Sequence, residues 1–257
     1  MSTEPFAPPL TPWHELDTAL AARGQAVLGS ASLHAALGAA PAALTTWAPC
    51  WNRLPPDPHL RDGGRYRRRR HGSFVIDGAR VAQAPQRAHW QSVDYNALHG
   101  GFERWFEPLE PALVAAPLWP RLLAWLGERA SALRGNQTWY AEAHPFRIDT
   151  AEGIGRPTPE GAHRDGVDLV AVMLVARVGV KGGETRVFDA DGPAGQRFTL
   201  VEPWTTLLLD DARVIHETTP IQPLDTAAAA GAAGTGYRDT LVITLRAGGF
   251  QAPTSNG

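Results

Sequence analysis

One histidine and one aspartate stand two residues apart in the stretch PEGAHRDGVDLV, at 159–170. If this stretch is extended, residues i and i+2 point to the same side, so His163 and Asp165 converge while Arg164 points away. A second histidine, His216, follows two apolar residues in a predicted strand. Two histidines and one carboxylate on a β scaffold form the facial triad of non-haem iron sites, which leaves three metal positions open. Without His216, two solvated polar residues at the start of a strand are the favoured interpretation of this pair.

The last predicted strand, 238-RDTLVITLR, carries a candidate partner for an anionic cosubstrate. If 2-oxoglutarate fills two of the open metal positions, its far carboxylate requires a buried cation, and the planar fork of arginine suits a carboxylate. Arg238 and Arg246 share one face, but eight residues at about 3.3 Å each place them roughly 26 Å apart. We select Arg238, because Thr240 lies two residues on and can donate a further hydrogen bond. Arg246 is assigned to the rim or surface.

From about residue 137 the sequence is typical of short antiparallel strands. Segments rich in Val, Thr, Leu and Ile recur at intervals of roughly 8 to 14 residues and are separated by Gly, Asp and Pro turns. The linkers have no room for the crossover helices of a parallel sheet, so the pattern predicts a sandwich, jelly roll or barrel over 137–250. The stretch TAAAAGAAGTG at 226–236 is expected to be a flexible insertion in one loop.

The first half of the chain predicts helices that flank this β core. Residues 1–60 are rich in Ala, Leu and Pro, which predicts an N-terminal layer of helices and loops. Two helices are predicted at about 94–109 and 116–135, and the second shows apolar residues at helical spacing and ends near Gly135. We expect a single domain over 1–257, mainly β with flanking helices.

Composition and charge exclude several classes of protein. The 257 residues are 44% hydrophobic and 19% charged with a formal net charge of -2, so the chain can bury a sizeable core and is not generally attracted to nucleic acids or acidic membranes. The single Cys50 excludes a disulfide or zinc-finger framework, so any metal must be held by His, Asp and Glu. No apolar run approaches the roughly 20 residues that span a bilayer, and the N-terminus has no signal-peptide pattern. We therefore expect a cytoplasmic protein without nucleic-acid or membrane partners.

A resemblance to one enzyme family is carried by the run HRDGVDLVAVMLVARVGVKGGETRVFD, by the later RVIHETTP and RDTLVIT, and by LRDGGRYRRRRHGSF at 60–74. Together these stretches, within residues 55–247, resemble the Fe(II)- and 2-oxoglutarate-dependent dioxygenases that hydroxylate free amino acids, a group typified by isoleucine 4-hydroxylase. The resemblance implies a double-stranded β-helix jelly roll that uses Fe(II), 2-oxoglutarate and O2. It also implies that the iron ligands are His163, Asp165 and His216, and that Arg238 binds the cosubstrate.

The resemblance further implies hydroxylation of an unactivated C–H bond in a small molecule, with release of succinate and CO2. A free amino acid needs a carboxylate for its ammonium group and an arginine for its carboxylate. The polar face of 138-TWYAEAHPF is either the solvent side of an ordinary strand or part of the pocket. As substrate-binding candidates we name Glu142 and Asp168 for the ammonium group, and Arg147 and Arg186 for the carboxylate.

The arginine run 65-RYRRRR is interpreted through strand alternation. A strand would place Arg65, Arg67 and Arg69 on one face and the intervening residues on the other, so some arginines can point inward. We favour a structural or substrate-carboxylate role for this run. Clustered arginines also bind nucleic acids, but the near-neutral chain makes that the least favoured interpretation.

Several alternatives stay open at this stage. The chain could be a jelly-roll oxygenase of another small molecule, or an enzyme that forms a ring or a double bond instead of an alcohol. It could also be a cupin-like metal-binding protein without turnover, although such a barrel has no need for an inward arginine at Arg238. The sequence leaves open which amino acid and which carbon react, and it leaves open the oligomeric state, a homodimer included.

Overall fold

Antiparallel strands form the second half of the chain in a computed structural model, which describes residues 6–40, 42–96, 98–224 and 235–253. All pairings between the strands are antiparallel. In chain order the strands are β1 (Gln25–Leu28), β2 (Arg67–Arg69), β3 (Gly72–Asp77), β4 (Arg80–Gln83), β5 (Trp139–Asp149), β6 (Leu169–Val178), β7 (Val180–Gly182), β8 (Thr185–Asp189), β9 (Gly195–Phe198), β10 (Thr206–Asp210), β11 (Val214–Thr218), β12 (Ile221–Pro223) and β13 (Tyr237–Ala247).

The strands form one large sheet and two small ones. The large sheet has eight strands in the order β1-β10-β6-β13-β5-β3-β4, with β2 paired to β5, and the small sheets have the orders β11-β8-β9 and β12-β7. This arrangement confirms the predicted jelly roll. The expected insertion at 226–236 lies outside the described residues up to position 234.

Helices cover the outer face of the large sheet: α1 (Leu16–Arg23), α2 (Ser30–Ala36), α3 (Pro111–Val114) and α4 (Leu118–Arg134), with 3-10 helices at Trp13–Glu15 and Leu44–Arg53. Helix α4 confirms the prediction at 116–135, and Gly135 follows it with a positive φ of 83°. Trp119 and Leu123 of α4 share one buried cluster with Phe74 and Ile243 of the sheet. Each such side chain contributes about 2 kcal/mol relative to an exposed one. Within the described residues, no helix combines the length and the apolar character needed to cross a bilayer.

Alternation along the central strands decides which side chains face the helices and which face the space between the sheets. On β5, Ala141 and Ala143 belong to the cluster that the helices cover, whereas Glu142 and His144 are buried on the other face. Strand β13 pairs with β5 in register and alternates in the same way. The inner face of the large sheet is therefore polar where it meets the small sheets.

The predicted N-terminal layer also contains a strand. Besides its helices, the segment 1–60 includes β1, which pairs with β10 and lengthens the large sheet, with Gln25 opposite Leu209 and Leu28 opposite Thr206. The four residues QAVL are too short to give a period-2 pattern, so tertiary pairing rather than local sequence determines this strand.

The helix predicted at 94–109 is wrong for the described part of that segment. Gly101 has a φ of +80°, in the left-handed region that favours glycine, and it directly follows Gly100. Two adjacent glycines oppose a helix because they lose more backbone entropy than other residues. The segment instead folds back so that Arg104 and His89 exchange two backbone hydrogen bonds of 3.0 and 2.9 Å. This turn delivers the Arg104 side chain to the interior.

Candidate active site

The three residues of the predicted triad come together between the sheets. His163 and Asp165 lie in the loop between β5 and β6, and His216 lies in the middle of β11. The backbone N–H of His163 donates to the carbonyl of His216 at 3.0 Å, and the N–H of His216 donates back at 2.9 Å. This isolated bridge attaches the loop to the small sheet and fixes the spacing of the two imidazoles.

The side chains of the triad face one another at short range. Nε2 of His163 lies 3.6 Å from Oδ1 of Asp165, and Nε2 of His216 lies 3.4 Å from Oδ2. The ligand atoms of all three residues lie within 4.8 Å of one another. Metal–ligand bonds of about 2.1 Å bring donors to such separations, so one divalent ion fits among them.

Nε2 of each histidine faces the carboxylate of Asp165. Nδ1–H of His163 donates to the carbonyl of Gly161 at 2.9 Å, so Nε2 is the nitrogen of this ring that a metal would take in place of a proton. Nε2 of His216 is buried and makes no hydrogen bond with any described residue. Burial disfavours a charged imidazole at His163, but the Asp165 carboxylate outweighs it and raises the pKa of His163 to about 10. The residues therefore fit a cation at this point.

The loop that carries Asp165 is held by the carboxylate of Asp211. This carboxylate accepts backbone N–H groups from Asp165, Gly166 and Val167 at 3.0, 2.7 and 3.1 Å. Gly166 has a φ of +76°, and a Cβ at this position would lie 2.4 Å from the ring of Tyr95. The glycine of the HRDG motif is thus required by both conformation and space.

Asp165 has a second support in the side chain of Gln91. Nε2 of Gln91 donates to Oδ1 of Asp165 at 3.1 Å, and Oε1 of the same amide accepts from Nη2 of Arg104 at 2.7 Å. Asn96 donates to Oε1 as well, at 3.3 Å. Because arginine has donors only, the orientation of the Gln91 amide is fixed.

Arg238 lies on the inner face of β13 and is 3% exposed. Its Nε and Nη2 atoms are buried without a hydrogen-bond partner, and among the described residues no carboxylate lies within 4.0 Å of its guanidinium group. Burial lowers the pKa of Arg238 to about 10. The guanidinium group of Arg238 is therefore suited to bind the carboxylate of a ligand. Thr240 lines the same cavity two residues on, whereas Arg246 does not line it and donates to the carbonyl of Gly249.

One cavity contains both the triad and Arg238. A sequence profile of the 2OG-Fe dioxygenase family matches residues 48–244, which is more than half of the chain. The chain belongs to this family. Members of the 2OG-Fe dioxygenase family use Fe(II), 2-oxoglutarate and O2, so the predicted cofactors are confirmed and the protein is a 2-oxoglutarate-dependent non-haem iron oxygenase.

Several solved structures are similar to this dioxygenase in fold. A bsmA homolog from Methylobium petroleophilum PM1 is 52% identical with a TM-score of 0.88, over 98% of this chain and 100% of that chain. IDO from Bacillus thuringiensis is 19% identical with a TM-score of 0.72, over 94% and 100% of the two chains. TqaL, described as an Fe(II)/α-ketoglutarate-dependent dioxygenase, is 20% identical with a TM-score of 0.67, over 91% and 86%. A comparison with curated proteins gives no match.

Of the four predicted substrate residues, Glu142 lines the cavity of the dioxygenase. Together with His144 it occupies the polar face of β5, and both side chains are buried rather than solvated. Of the two interpretations offered for that polar face, the structure supports the pocket for these two residues. Oε1 of Glu142 lies 2.9 Å from Nε2 of His71 and 3.6 Å from Nη1 of Arg87.

Arg147, named from the sequence as a carboxylate-binding candidate, does not line the cavity. An odd-numbered position on β5 faces away from the cavity, and there Arg147 donates two hydrogen bonds to Asp239, at 2.8 and 2.7 Å. Its charge is therefore already compensated. Arg147 was named for its side-chain type, but strand alternation places its side chain on the face of β5 that points away from the cavity.

The two other substrate-binding candidates, Asp168 and Arg186, do not line the cavity either. Asp168 lies outside the cavity at the start of β6, where it accepts the backbone N–H of Ala247 at 2.8 Å. Arg186 has a side chain that is 42% exposed, and it pairs with Glu184 and Glu217 at 2.9 and 3.1 Å. Neither side chain is available to a ligand of the cavity.

A second cluster of buried donors borders the cavity and comprises His71, His89, Glu142 and His144. Two guanidinium groups already lie against it. Nη2 of Arg69 is 2.7 Å from Nδ1 of His144, and Nη1 of Arg87 is 3.6 Å from Glu142. A divalent ion here would be repelled by both positive charges, so we interpret the cluster as a hydrogen-bond network.

Several side chains that line the cavity were not assigned to the site from the sequence, among them Gln91, Arg69 and Arg104. Alternation in the arginine run did predict that Arg69 can point inward, and in β2 Arg67 and Arg69 are buried while Arg68 lies on the other face. Gln91 and Arg104 come from an irregular segment without periodicity. No local signal in the sequence identifies them.

Proposed function

We propose that this dioxygenase hydroxylates an unactivated C–H bond of a free L-amino acid or a close derivative and releases succinate and CO2. In this proposal the triad of His163, Asp165 and His216 holds Fe(II). Arg238, with the hydroxyl of Thr240, binds the far carboxylate of 2-oxoglutarate. The observation that carries the proposal is the cavity shared by the triad and Arg238, in which the buried Nε2 atom of His216 and the buried Nε and Nη2 atoms of Arg238 have no hydrogen-bond partner among the described residues.

The protein contributes position and enclosure to this reaction. Bound Fe(II) with its cosubstrate supplies the activation of O2 that oxidation of a C–H bond requires. The triad directs the open metal positions into the cavity, and Arg238 orients the cosubstrate through charge-assisted hydrogen bonds. The apolar side chains of Val172 and Val242 also line the cavity and exclude water from the reacting carbon.

The proposal of an amino-acid substrate is supported by the charges of the cavity and by the family resemblance. A zwitterion requires buried groups of both signs, and the cavity is lined by acidic as well as basic side chains. Glu142 remains our candidate acceptor for the ammonium group. Glu160 is a second candidate, because its Oε2 atom is buried and has no hydrogen-bond partner among the described residues.

The metal and cosubstrate assignments are tested by titrating the protein with Fe(II) and 2-oxoglutarate under argon. We expect a visible charge-transfer band for the wild type and its loss in His216→Ala. Arg238→Gln is expected to raise the half-saturating 2-oxoglutarate concentration by about 10-fold or more, because charged hydrogen bonds are lost. Arg246→Gln is the matched control and should behave as wild type. A wild type without the band, or an unchanged band in His216→Ala, contradicts these assignments.

The substrate class is tested with a panel of proteinogenic L-amino acids, read by succinate release and by mass spectrometry. We expect at least one amino acid to stimulate succinate release and to gain one oxygen atom. A product that instead loses two hydrogen atoms indicates desaturation or ring closure. Background succinate release with every member of the panel contradicts the proposed substrate class while leaving the metal assignment intact.

A further inference from the structure

We propose that Arg69 and Arg104 form a second anion-binding subsite of this cavity, which binds the carboxylate of the substrate while Arg238 binds 2-oxoglutarate. The proposal rests on the function proposed above. It defines the substrate as a small carboxylic acid whose carbon chain extends from this subsite toward the metal triad.

Arg69, on β2, is a buried cation without a counter-ion. Its side chain lies between two aromatic rings, with the guanidinium carbon 4.0 Å from the ring centre of Phe106 and 4.4 Å from that of Phe146. Nη2 is used by His144, at 2.7 Å, but Nε is buried and has no partner. Among the described residues, the ion pairs include no carboxylate within 4.0 Å of Arg69.

Arg104 is a second buried cation without a counter-ion. The residue is 2% exposed, its Nη2 atom donates to Gln91 at 2.7 Å, and its Nε atom is buried without a partner. Within the described part of the chain, no carboxylate lies within 4.0 Å of its guanidinium group either. The neighbouring Arg67 differs, because it pairs with Asp57 at 2.7 Å. Arg69 and Arg104 are therefore uncompensated cations that line one cavity.

Burial of an unpaired charge is unfavourable, and a bound anion removes that cost. In agreement with this, burial lowers the pKa of Arg104 to about 10 and lowers the pKa of Arg69 well below its ordinary value. Each guanidinium group retains a free N–H, and two such donors match the two oxygens of one carboxylate. We therefore commit to a carboxylate, and inorganic phosphate becomes a comparison in the test.

This subsite is separate from Arg238. Arg69 is paired with Phe146 across β2 and β5, and Phe146 is paired with Thr240 across β5 and β13. Two strand spacings thus separate Arg69 from Thr240, or roughly 10 Å. Two different anions can therefore occupy the cavity together, one near each cation.

The subsite is also close to the metal triad. Gln91 accepts a hydrogen bond from Arg104 at 2.7 Å and donates one to Asp165 at 3.1 Å. An acid bound at Arg104 is thus only one side-chain amide away from a metal ligand. This spacing places the carbon chain of a small acid within reach of the reacting centre.

The test measures binding to the protein loaded with Fe(II) and 2-oxoglutarate under argon. The probes are the proteinogenic L-amino acids, each compared with its own carboxamide, together with acetate, propionate, butyrate and inorganic phosphate. The readouts are the change in the visible band and the shift in thermal unfolding midpoint. We expect at least one free acid to bind, and its carboxamide to bind about 10-fold more weakly or worse.

Variants then locate the carboxylate. Arg69→Gln and Arg104→Lys are expected to weaken binding of that acid by about 10-fold or more. In Arg69→Gln the half-saturating 2-oxoglutarate concentration should change by less than about 2-fold, because Arg69 lies two strands away from Thr240. Arg68→Gln is the matched control, since Arg68 lies on the same strand with a side chain that is 44% exposed on the other face. Circular dichroism checks the fold, and Arg69→Lys serves if Arg104→Lys does not fold.

Three results overturn the proposal. Equal binding of acid and carboxamide shows that no carboxylate is recognised. If the half-saturating 2-oxoglutarate concentration rises in Arg69→Gln as much as in Arg238→Gln, the subsite binds the cosubstrate and not the substrate. Binding of phosphate alone, or of none of the probes, also contradicts it. A wild type that lacks the band contradicts the metal assignment instead, and thermal shifts of the metal-free protein with the same acids and carboxamides then decide on the subsite.

Discussion

Nε2 of Gln91 donates a hydrogen bond to Oδ1 of Asp165 over 3.1 Å. Because the other end of the amide accepts from Arg104, the amide cannot turn over without losing both contacts. Gln91 therefore orients one carboxylate oxygen of Asp165 and leaves Oδ2 facing His216, at 3.4 Å. A residue outside the triad thus determines how the triad presents its carboxylate.

Gln91→Leu is expected to lower the affinity for Fe(II) by about 10-fold or more, because partners that orient a metal ligand affect metal binding strongly. The affinity is measured by titrating Fe(II) into the protein with 2-oxoglutarate under argon. Gln83→Leu on β4 is the control, since Gln83 is exposed. Equal Fe(II) affinity in Gln91→Leu and wild type would show that Asp165 orients itself without this amide.

Asp211→Ala is expected to lower the free energy of unfolding by about 3 kcal/mol, because buried backbone donors lose their acceptor. The donors are the N–H groups of Asp165, Gly166 and Val167. Urea denaturation gives the stability, and the same Fe(II) titration should show weaker metal binding. Asp191→Ala, at an exposed position, provides the comparison. A loss of metal binding without a loss of stability would contradict a structural role for Asp211.

Asp57 and Arg67 form a buried ion pair at 2.7 Å. Asp57→Asn is expected to destabilise the fold by about 3–5 kcal/mol in urea denaturation, because it leaves the Arg67 charge buried and unpaired. Asp57→Leu combined with Arg67→Met removes both charges and should be less destabilising. If the double variant is no more stable than Asp57→Asn, the unpaired charge is not the cause.

The same pair affects acid stability. Burial raises the pKa of Asp57, but the Arg67 charge and hydrogen bonds outweigh burial, and the net pKa lies below its ordinary value. A lowered folded-state pKa contributes stability above the ordinary value of about 3.9. This contribution is lost as the pH falls through the lowered folded-state value. Asp57→Asn should therefore show less acid destabilisation than wild type in this range.

The lowered pKa of His89 predicts that the free energy of unfolding falls at a milder acidity than the Asp57 effect requires. Burial lowers the pKa of His89 from 6.5 to about 4, while the neighbouring Glu142 opposes the shift and Arg104 and Arg69 reinforce it. Between these two pH values the unfolded chain binds a proton that the folded protein does not, so stability falls as the pH falls. Over this whole pH range the free energy of unfolding falls by about 3 kcal/mol.

Urea denaturation at several pH values between about 7 and about 4 measures this slope. His89→Asn should show a shallower decline than wild type over that range. The rings of His71 and His144 also face His89, so the slope, rather than the stability at one pH, is the decisive quantity. Parallel slopes in the two proteins would mean that folding does not lower the pKa of His89.

The sequence predicted the triad because strand alternation and residue type agree there. Extended spacing places His163 and Asp165 on one side, and the same parity on β13 places Arg238 and Thr240 on the inner face. Short segments with apolar β-branched residues and turn residues between them predicted a sandwich, jelly roll or barrel, and the family resemblance implied the jelly roll. In these regions local pattern and tertiary packing favour the same structure.

The sequence failed where side-chain type was considered without position. Arg147 was chosen for its charge, although the alternation that places Glu142 inward places Arg147 outward. Gln91 and Arg104 reach the cavity through long-range contacts of an irregular segment, and its glycines interrupt the apparent helical pattern. Such contacts leave no period in the sequence, so they are found only once the chain is folded.

The pairing of β1 with β10 has a consequence for solubility. In the large sheet β10 pairs with β6 on one side, and β1 is the edge strand that pairs with its other side. Without β1, the segment Thr206–Leu209, which contains three leucines, would present unpaired N–H and C=O groups at a sheet edge. Such an edge is a template for pairing with another chain. Strand β1 therefore protects this edge of the sheet from edge-to-edge aggregation. Removal of the residues before β2 would expose the edge and yield a protein that self-associates rather than a smaller enzyme.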